Sequence, residues 1–209
     1  MPKPVNFKTG VAAALAAMAM AIALPAASEG PKGPVSGKPG EANIVEIAQA
    51  VNAESGEFSY LLAAATCDYF DGAVVDLLTG KKRLTLFAPT DAAFQALQAT
   101  LGVATPAPEI TCDAFAATPE VLFDVLAYHV TEGRRFSNSV FNANAVKPVK
   151  MLNGQFIITN PGLTLTDIAG QDVGIALDDE EELLANINAS NGVIHVIDTV
   201  LLPFTLPED

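Results

Sequence analysis

NGVIHVIDTVLLP, residues 191–203, is the stretch on which the fold turns. Val193, Ile194, Val196, Ile197, Val200, Leu201 and Leu202 are apolar and mostly β-branched, Asn191-Gly192 is a turn signal in front of them, and Pro203 ends the run. The pattern predicts a core strand over Val193 to Leu202. His195 and Asp198 stand inside it, where a polar group needs a partner or costs free energy. Three positions apart, they face opposite sides of a strand, so no direct pair is expected between them. Asp198 is expected to accept backbone amides at a turn or helix end.

Working outward, strands and turns reach back to Asn153. Gln155 to Thr159, Leu163 to Thr166 and Val173 to Leu177 are short β-rich runs broken by Asn-Gly, Pro-Gly and Ala-Gly turns. Ahead of them the apolar period is helical. Asn43 caps a helix with Ile44, Ile47, Ala48 and Val51 on one face; Phe58, Leu61, Leu62 and Ala65 repeat the pattern, and Cys67 ends that second helix. Val74 to Leu78 is a further helical turn closed by Thr79-Gly80. In TLFAPTDAAF, residues 85–94, a strand meets Pro89, which cannot donate to a ladder, and Thr90 or Asp91 caps a helix that runs to Leu101 and stops at Gly102. Val103 to Ala117 reads as a loop around Cys112. Thr118-Pro119-Glu120 then opens a helix, with threonine as cap and proline in the first turn, and Tyr128-His129 closes it. His129 shares a face with Leu122, Val125 and Leu126 and is expected to point inward. Helices first and strands later make an α+β domain.

TLFAPTDAAF, Tyr128-His129 and NGVIHVIDTVLLP, in this order, resemble the fasciclin domain family over Asn43 to Pro203. The resemblance implies a twisted β-sandwich or wedge with a packed layer of helices. It implies mainly structural roles for the box residues Thr85, Phe87, Pro89, Thr90, Phe94, Asn191, Gly192, His195, Asp198 and Pro203, and an adhesion-linked role for the dipeptide Tyr128 and His129. Family members are mostly extracellular or cell-surface modules that make adhesion, matrix, polysaccharide or protein contacts, and the fold is not known as an enzyme scaffold. Animal members often carry Asp-Ile before the second box, linked to receptor binding; Asn186-Ile187 stands there in this chain, without the carboxylate.

The N-terminus points to export. Lys3 and Lys8 precede the apolar run Val11 to Leu24, and Pro25-Ala26-Ala27-Ser28 supplies small residues for cleavage, so residues 1–28 read as a secretory signal peptide, with an uncleaved anchor as the alternative. Residues 29–42 begin EGPKGPVSGKPG and read as a flexible linker, residues 43–203 as one domain, and residues 204–209 as a tail. Loss of Lys3 and Lys8 takes the formal charge from -13 to -15. That acidity argues against nucleic acid and anionic lipid as partners. Export also makes a Cys67–Cys112 disulfide the leading reading for the two cysteines; a zinc set with His129 and His195 is the alternative, though the ligand spacing is wrong for one.

Little in the chain speaks for catalysis. With two histidines and no nucleophile elbow, a serine or cysteine hydrolase lacks its parts, no glycine loop cradles phosphate, and no convergent ionisable pair is visible. Asp178 to Glu182 lacks the alternating ligands and glycine of a calcium loop and reads as a solvated acidic face. Asn188-Ala189-Ser190 fits a glycosylation triplet of a kind common by chance. The expected function is therefore that of a secreted or periplasmic, non-catalytic module that needs no cofactor or metal. Its partner would be a cell-surface or matrix protein or a polysaccharide, and its mature form would lack a membrane span. A carbohydrate- or small-ligand-binding module is the alternative, disfavoured by the absence of Trp and the presence of only three Tyr.

Overall fold

The computed structural model describes residues 40–103, 106–141, 145–177 and 184–206. The segment read as a signal peptide, nearly all of the linker, the acidic run Asp178 to Glu182 and the last residues of the tail lie outside these. The described chain opens with α1 (Ile44–Ser55), α2 (Ser59–Ala65), a 3-10 turn (Asp68–Phe70) and α3 (Ala73–Thr79). Next come β1 (Leu84–Pro89), α4 (Asp91–Thr100), α5 (Pro108–Phe115), α6 (Pro119–Tyr128), β2 (Val130–Glu132) and α7 (Ser137–Val140). Strands β3 (Lys147–Lys150), β4 (Phe156–Asn160), β5 (Thr164–Thr166), β6 (Asp172–Gly174), β7 (Ile187–Asn188) and β8 (Gly192–Ile197) complete it.

Two four-stranded sheets form, in the orders β2-β1-β8-β7 and β3-β4-β5-β6. The first is centred on a parallel pair, β1 with β8, in which Leu84 faces Gly192 and Pro89 faces Ile197. Both strands are buried along their whole length. Their alternation supplies two cores at once. Leu84, Leu86, Ala88, Ile194 and Val196 pack under the helices, whereas Phe87, Ile197 and the following Leu201 pack toward Ile157, Leu165 and Val173 of the second sheet. The second sheet is an antiparallel meander, tied to β8 by a bridge between Ile175 and Ile197 and by Asp198 N–H donating to the Gly174 carbonyl at 3.1 Å.

Local signals explain most of the helices. Asn43 and Glu46 form a reciprocal capping box on α1, and Gly56, with φ 77°, ends it. The Thr90 hydroxyl accepts from Ala93 N–H at 3.2 Å and starts α4. Thr118 makes no such bond, so α6 relies on Pro119 and Glu120 in its first turn rather than on the expected threonine cap.

Three expectations change. Val103 to Ala117 is no simple loop, because Pro108–Phe115 is helical: Pro108 opens its first turn, and the buried Gln98 side chain both accepts from Ala107 N–H at 3.0 Å and donates to the Ala107 carbonyl at 3.1 Å. The final strand stops at Ile197 instead of Leu202, since its partner β1 ends at Pro89; Asp198, expected inside an apolar run, is exposed. Lys147–Lys150 is a strand although it holds a proline, which the outer position of β3 in its sheet permits.

At Gly192 the central pair leaves no room for a side chain. A Cβ there would lie 2.4 Å from the Leu84 carbonyl oxygen and 2.6 Å from Ile44 Cδ1, and backbone cannot yield cheaply. Gly192→Ala is expected to cost about 3 kcal/mol or more, read from urea unfolding midpoints; a loss under about 1 kcal/mol would show that β1 and β8 do not close in this register.

Candidate functional site

The residues singled out by the two boxes and the dipeptide lie along the β1–β8 pair and on the elements packed against it. At one end, the Asn191 side chain accepts from Ile44 N–H at 3.0 Å and donates to the Leu78 carbonyl at 2.5 Å, so one amide holds the start of α1 and the end of α3 on the sheet. Thr85, fully buried, donates to the Gly133 carbonyl at 2.7 Å and accepts from Arg135 N–H at 2.8 Å. Phe94 packs in the helical core, where its ring stacks with Tyr60. Pro203 is buried. Asp198 accepts from Gly174 N–H at 2.9 Å, as a turn carboxylate should.

Tyr128 and His129 are neighbours at the end of α6, yet they enter different cores. The Tyr128 hydroxyl donates to the Phe156 carbonyl at 2.8 Å and accepts from Ile168 N–H at 3.2 Å, pinning the meander to the helix. Burial pushes its phenol up to about 12. His129 is held from both sides: Nδ1 meets the Val125 carbonyl at 2.7 Å and Nε2 meets Leu201 N–H at 2.9 Å. A carbonyl needs a donor and an amide needs an acceptor, so this is the neutral Nδ1–H tautomer. His195 stacks on Phe87 with ring centroids 5.6 Å apart, and its Nε2 donates to the Arg135 carbonyl at 2.8 Å. Burial lowers both imidazoles from 6.5 to about 4.

Side chains bonded to backbone occur also in residues that the motifs do not mark, one buried (Asp167) and one exposed (Asn186). Asp167 accepts from Leu202 N–H and Gln171 N–H, both at 2.9 Å, anchoring the chain that leaves β8. Its position in a β-turn run, beside Ala-Gly, was the only sequence signal for it. Asn186, in the left-handed region with φ 62°, accepts from Ser137 N–H at 2.7 Å and donates to Ser137 Oγ at 2.8 Å. The residue standing at the family's Asp position therefore supports the start of α7.

Cys67 and Cys112 form a disulfide with Cα atoms 5.6 Å apart, which joins the end of α2 to α5. Glu57 and Asp91 come together as helix caps, not as a convergent pair in a cleft. Asp91 N–H donates to Glu57, Tyr60 N–H donates to Asp91, and burial pushes both carboxyls up. Each caps the start of a helix, and neither lines the cavities described here. One cavity, of about 210 Å³, lies among α4, α5, α6 and the C-terminal segment, between Phe94, Leu97, Leu122, Val125, Leu202 and Phe204; no charged side chain lines it. Among the described residues no group of three His, Cys, Asp or Glu could hold a metal ion, and no helix is long and apolar enough to cross a membrane.

The chain belongs to the Fasciclin domain family, whose family model matches residues 61–203. It is 31% identical over 160 residues to Protein sll1483 of Synechocystis, covering 77% of this chain and 73% of that one. It is 27% identical over 203 residues to the Immunogenic protein MPB70 of Mycobacterium bovis, covering 92% of each. Among solved structures, a FAS1 domain pair from the insect cell adhesion molecule Fasciclin I shares the fold with a TM-score of 0.51 at 14% identity. The match covers 78% of this chain and 51% of that structure, so the chain spans about half its length.

Two tests follow from these contacts. A histidine lowered in the folded state leaves the unfolded chain to bind protons first, so stability is full above pH 6.5 and drains as pH falls toward 4, by about 3 kcal/mol per histidine at most. The raised Glu57 and Asp91 carboxyls act in the opposite sense near the bottom of that window. His129→Gln should lower the urea midpoint at pH 7.5 and flatten its decline between pH 6.5 and 4.5; an unchanged slope would remove His129 from this role. Reduction of the disulfide, which spans 45 positions, should cost up to about 4 kcal/mol, with no loss expected if α5 were held by its packing alone.

Proposed function

We propose that this protein is a non-catalytic Fasciclin-type module, exported through its N-terminal segment, that makes contacts at a cell surface or in an extracellular matrix. The observation that carries this reading is the state of its polar core. His129, His195, Asp167, Thr85 and Asn191 are each committed to backbone groups, and the two imidazoles are held neutral. A general base needs a cleft and a free lone pair facing substrate, and neither histidine has one. What is left to act is the surface. Membership in a family often associated with adhesion supports the reading.

The 210 Å³ cavity favours a second reading, a small apolar ligand. An engineered cavity of about 150 Å³ in another protein admits benzene, so this one is large enough for a single ring or a short acyl chain. A rise in unfolding temperature with such probes would support it.

The direct test is binding of the purified, processed protein to intact cells of the producing organism. Saturable binding that survives removal of surface lipids is expected. Binding absent from cells and from their extracellular matrix would exclude the surface reading.

A further inference from the structure

The folded domain has few cations, and most of them sit together. Of the chain's 11 lysines and arginines, four precede residue 40, and the remaining seven are Lys81 to Arg83, Arg134-Arg135, Lys147 and Lys150. Lys81 to Arg83 lead directly into β1. Because β2 runs antiparallel to it, with Leu84 opposite Glu132, Arg134 and Arg135 leave the sheet at the same end, and Gly133 N–H donates to the Arg83 carbonyl at 2.7 Å. The Thr131 hydroxyl donates to the Lys150 carbonyl at 2.7 Å, and Leu152 N–H to the Val130 carbonyl at 2.8 Å, so the end of β3 lies on β2. Lys147 stands at the other end of β3, about 10 Å along the strand. The two sheets thus meet along a border that gathers Lys81 to Arg83, Arg134, Arg135 and Lys150, whereas Lys147, on the face of β3 that Val149 shares, stands outside it.

Among the described residues these charges meet few carboxylates: Arg134 donates to the Asn188 side chain and Arg135 Nε to the Glu132 carbonyl at 3.0 Å. Among the described residues the one ion pair is Lys82 with Glu132, 3.4 Å apart with both side chains about two-thirds exposed at 69% and 67%, and such pairs contribute little. Arg135 and Lys150 line a shallow cleft with Thr131, Glu132, Met151 and Leu152. Like charges gathered on an otherwise acidic molecule repel one another, and a bound anion would relieve that.

The neighbouring aromatic narrows the choice of anion. Phe156 is paired opposite Lys150 and is 48% exposed. Val149 and Ile157, their strand neighbours, fill the core, so Lys150 and Phe156 stand side by side on the outer face of the meander. A ring beside a cation offers the apolar face of a sugar somewhere to stack while its acidic group pairs. A slender chain also suits the molecule's net charge of -13. With a Debye length of about 8 Å at physiological salt, a single polymer lying on the border feels mainly the border, whereas a membrane plane or a duplex also confronts the acidic faces. We propose that this border binds an acidic polysaccharide, with Arg135 and Lys150 pairing its carboxylate or sulfate groups and Phe156 stacking on a sugar. The proposal rests on the surface-contact reading and names the partner class. It adds to the inference from net acidity, which averages away a local excess of cations.

Alginate, with neutral dextran as control and phosphatidylglycerol vesicles as competitor surface, tests it on the processed protein. Alginate should bind saturably and dextran should not. Lys150→Glu, at an exposed strand position, should weaken binding about tenfold or more, as should about 0.5 M salt, with Phe156→Ala weakening it several-fold. Ala53→Glu with Thr100→Glu adds two negative charges on exposed helical positions and should change binding by less than about twofold. No alginate binding, equal weakening by the helical control, or preference for vesicles over alginate would each overturn the proposal. Cell binding that persists in the Lys150→Glu variant sinks the border and leaves the surface reading standing; wild-type protein that binds no cells sinks the reading itself.

Discussion

The parallel pairing of β1 with β8 is the constraint on which everything else depends. It joins segments more than a hundred residues apart, with Leu84 against Gly192, so the loop it closes contains both helical and strand regions. Because adjacent residues in each strand face opposite ways, this one pair fixes which apolar residues meet the helices and which meet the meander. A slip by one residue would send Phe87 and Ile197 into the helical layer. Gly192, where no side chain fits, and Asn191, which holds two helices by one amide, are the devices that exclude the slip.

The polar groups near that pair share a single chemistry. Each takes a backbone group that the turn from one element to the next would otherwise leave unpaired: Leu201 N–H on His129, Leu202 N–H on Asp167, the Arg135 carbonyl on His195. An unmet amide in an apolar interior costs more than a typical hydrogen bond contributes, which explains why histidines occupy core positions without being catalytic. Tyr128 and His129 extend this across the molecule, since one residue reaches the meander and the next reaches the chain beyond β8. A role for this dipeptide in surface contact would therefore be indirect, through the shape it maintains.

Much of the architecture was legible from residues. The capping box at Asn43, the cap at Thr90 and the apolar, β-branched run of 193–197 are local signals, and local physics determines them. Elements that depend on distant partners were not legible. Lys147–Lys150 carries two lysines and a proline and becomes a strand only because β4 runs beside it. Pro108–Phe115 has the same Pro-Glu start as Pro119–Tyr128, but alternating alanines, threonines and prolines obscured it, and Gln98, which completes it, lies on another helix. The pairing of Glu57 with Asp91 and the gathering of cations at the sheet border share that cause, because separation in sequence hides proximity in space. Counting only Trp and Tyr as platforms for sugars also left Phe156 out of view.

Stability and binding should be separable in this molecule, because one resides in the buried polar groups and the other at an exposed border. The most direct measurement compares two variants, His129→Gln and Lys150→Glu, for unfolding midpoint and for cell binding at a temperature where near-ultraviolet dichroism shows both to be folded. The expected result is crossed: the histidine variant loses stability and keeps its binding per folded molecule, and the lysine variant keeps stability and loses binding. A folded histidine variant that no longer binds, beside a lysine variant that still does, would place the contact at the dipeptide and contradict the assignment.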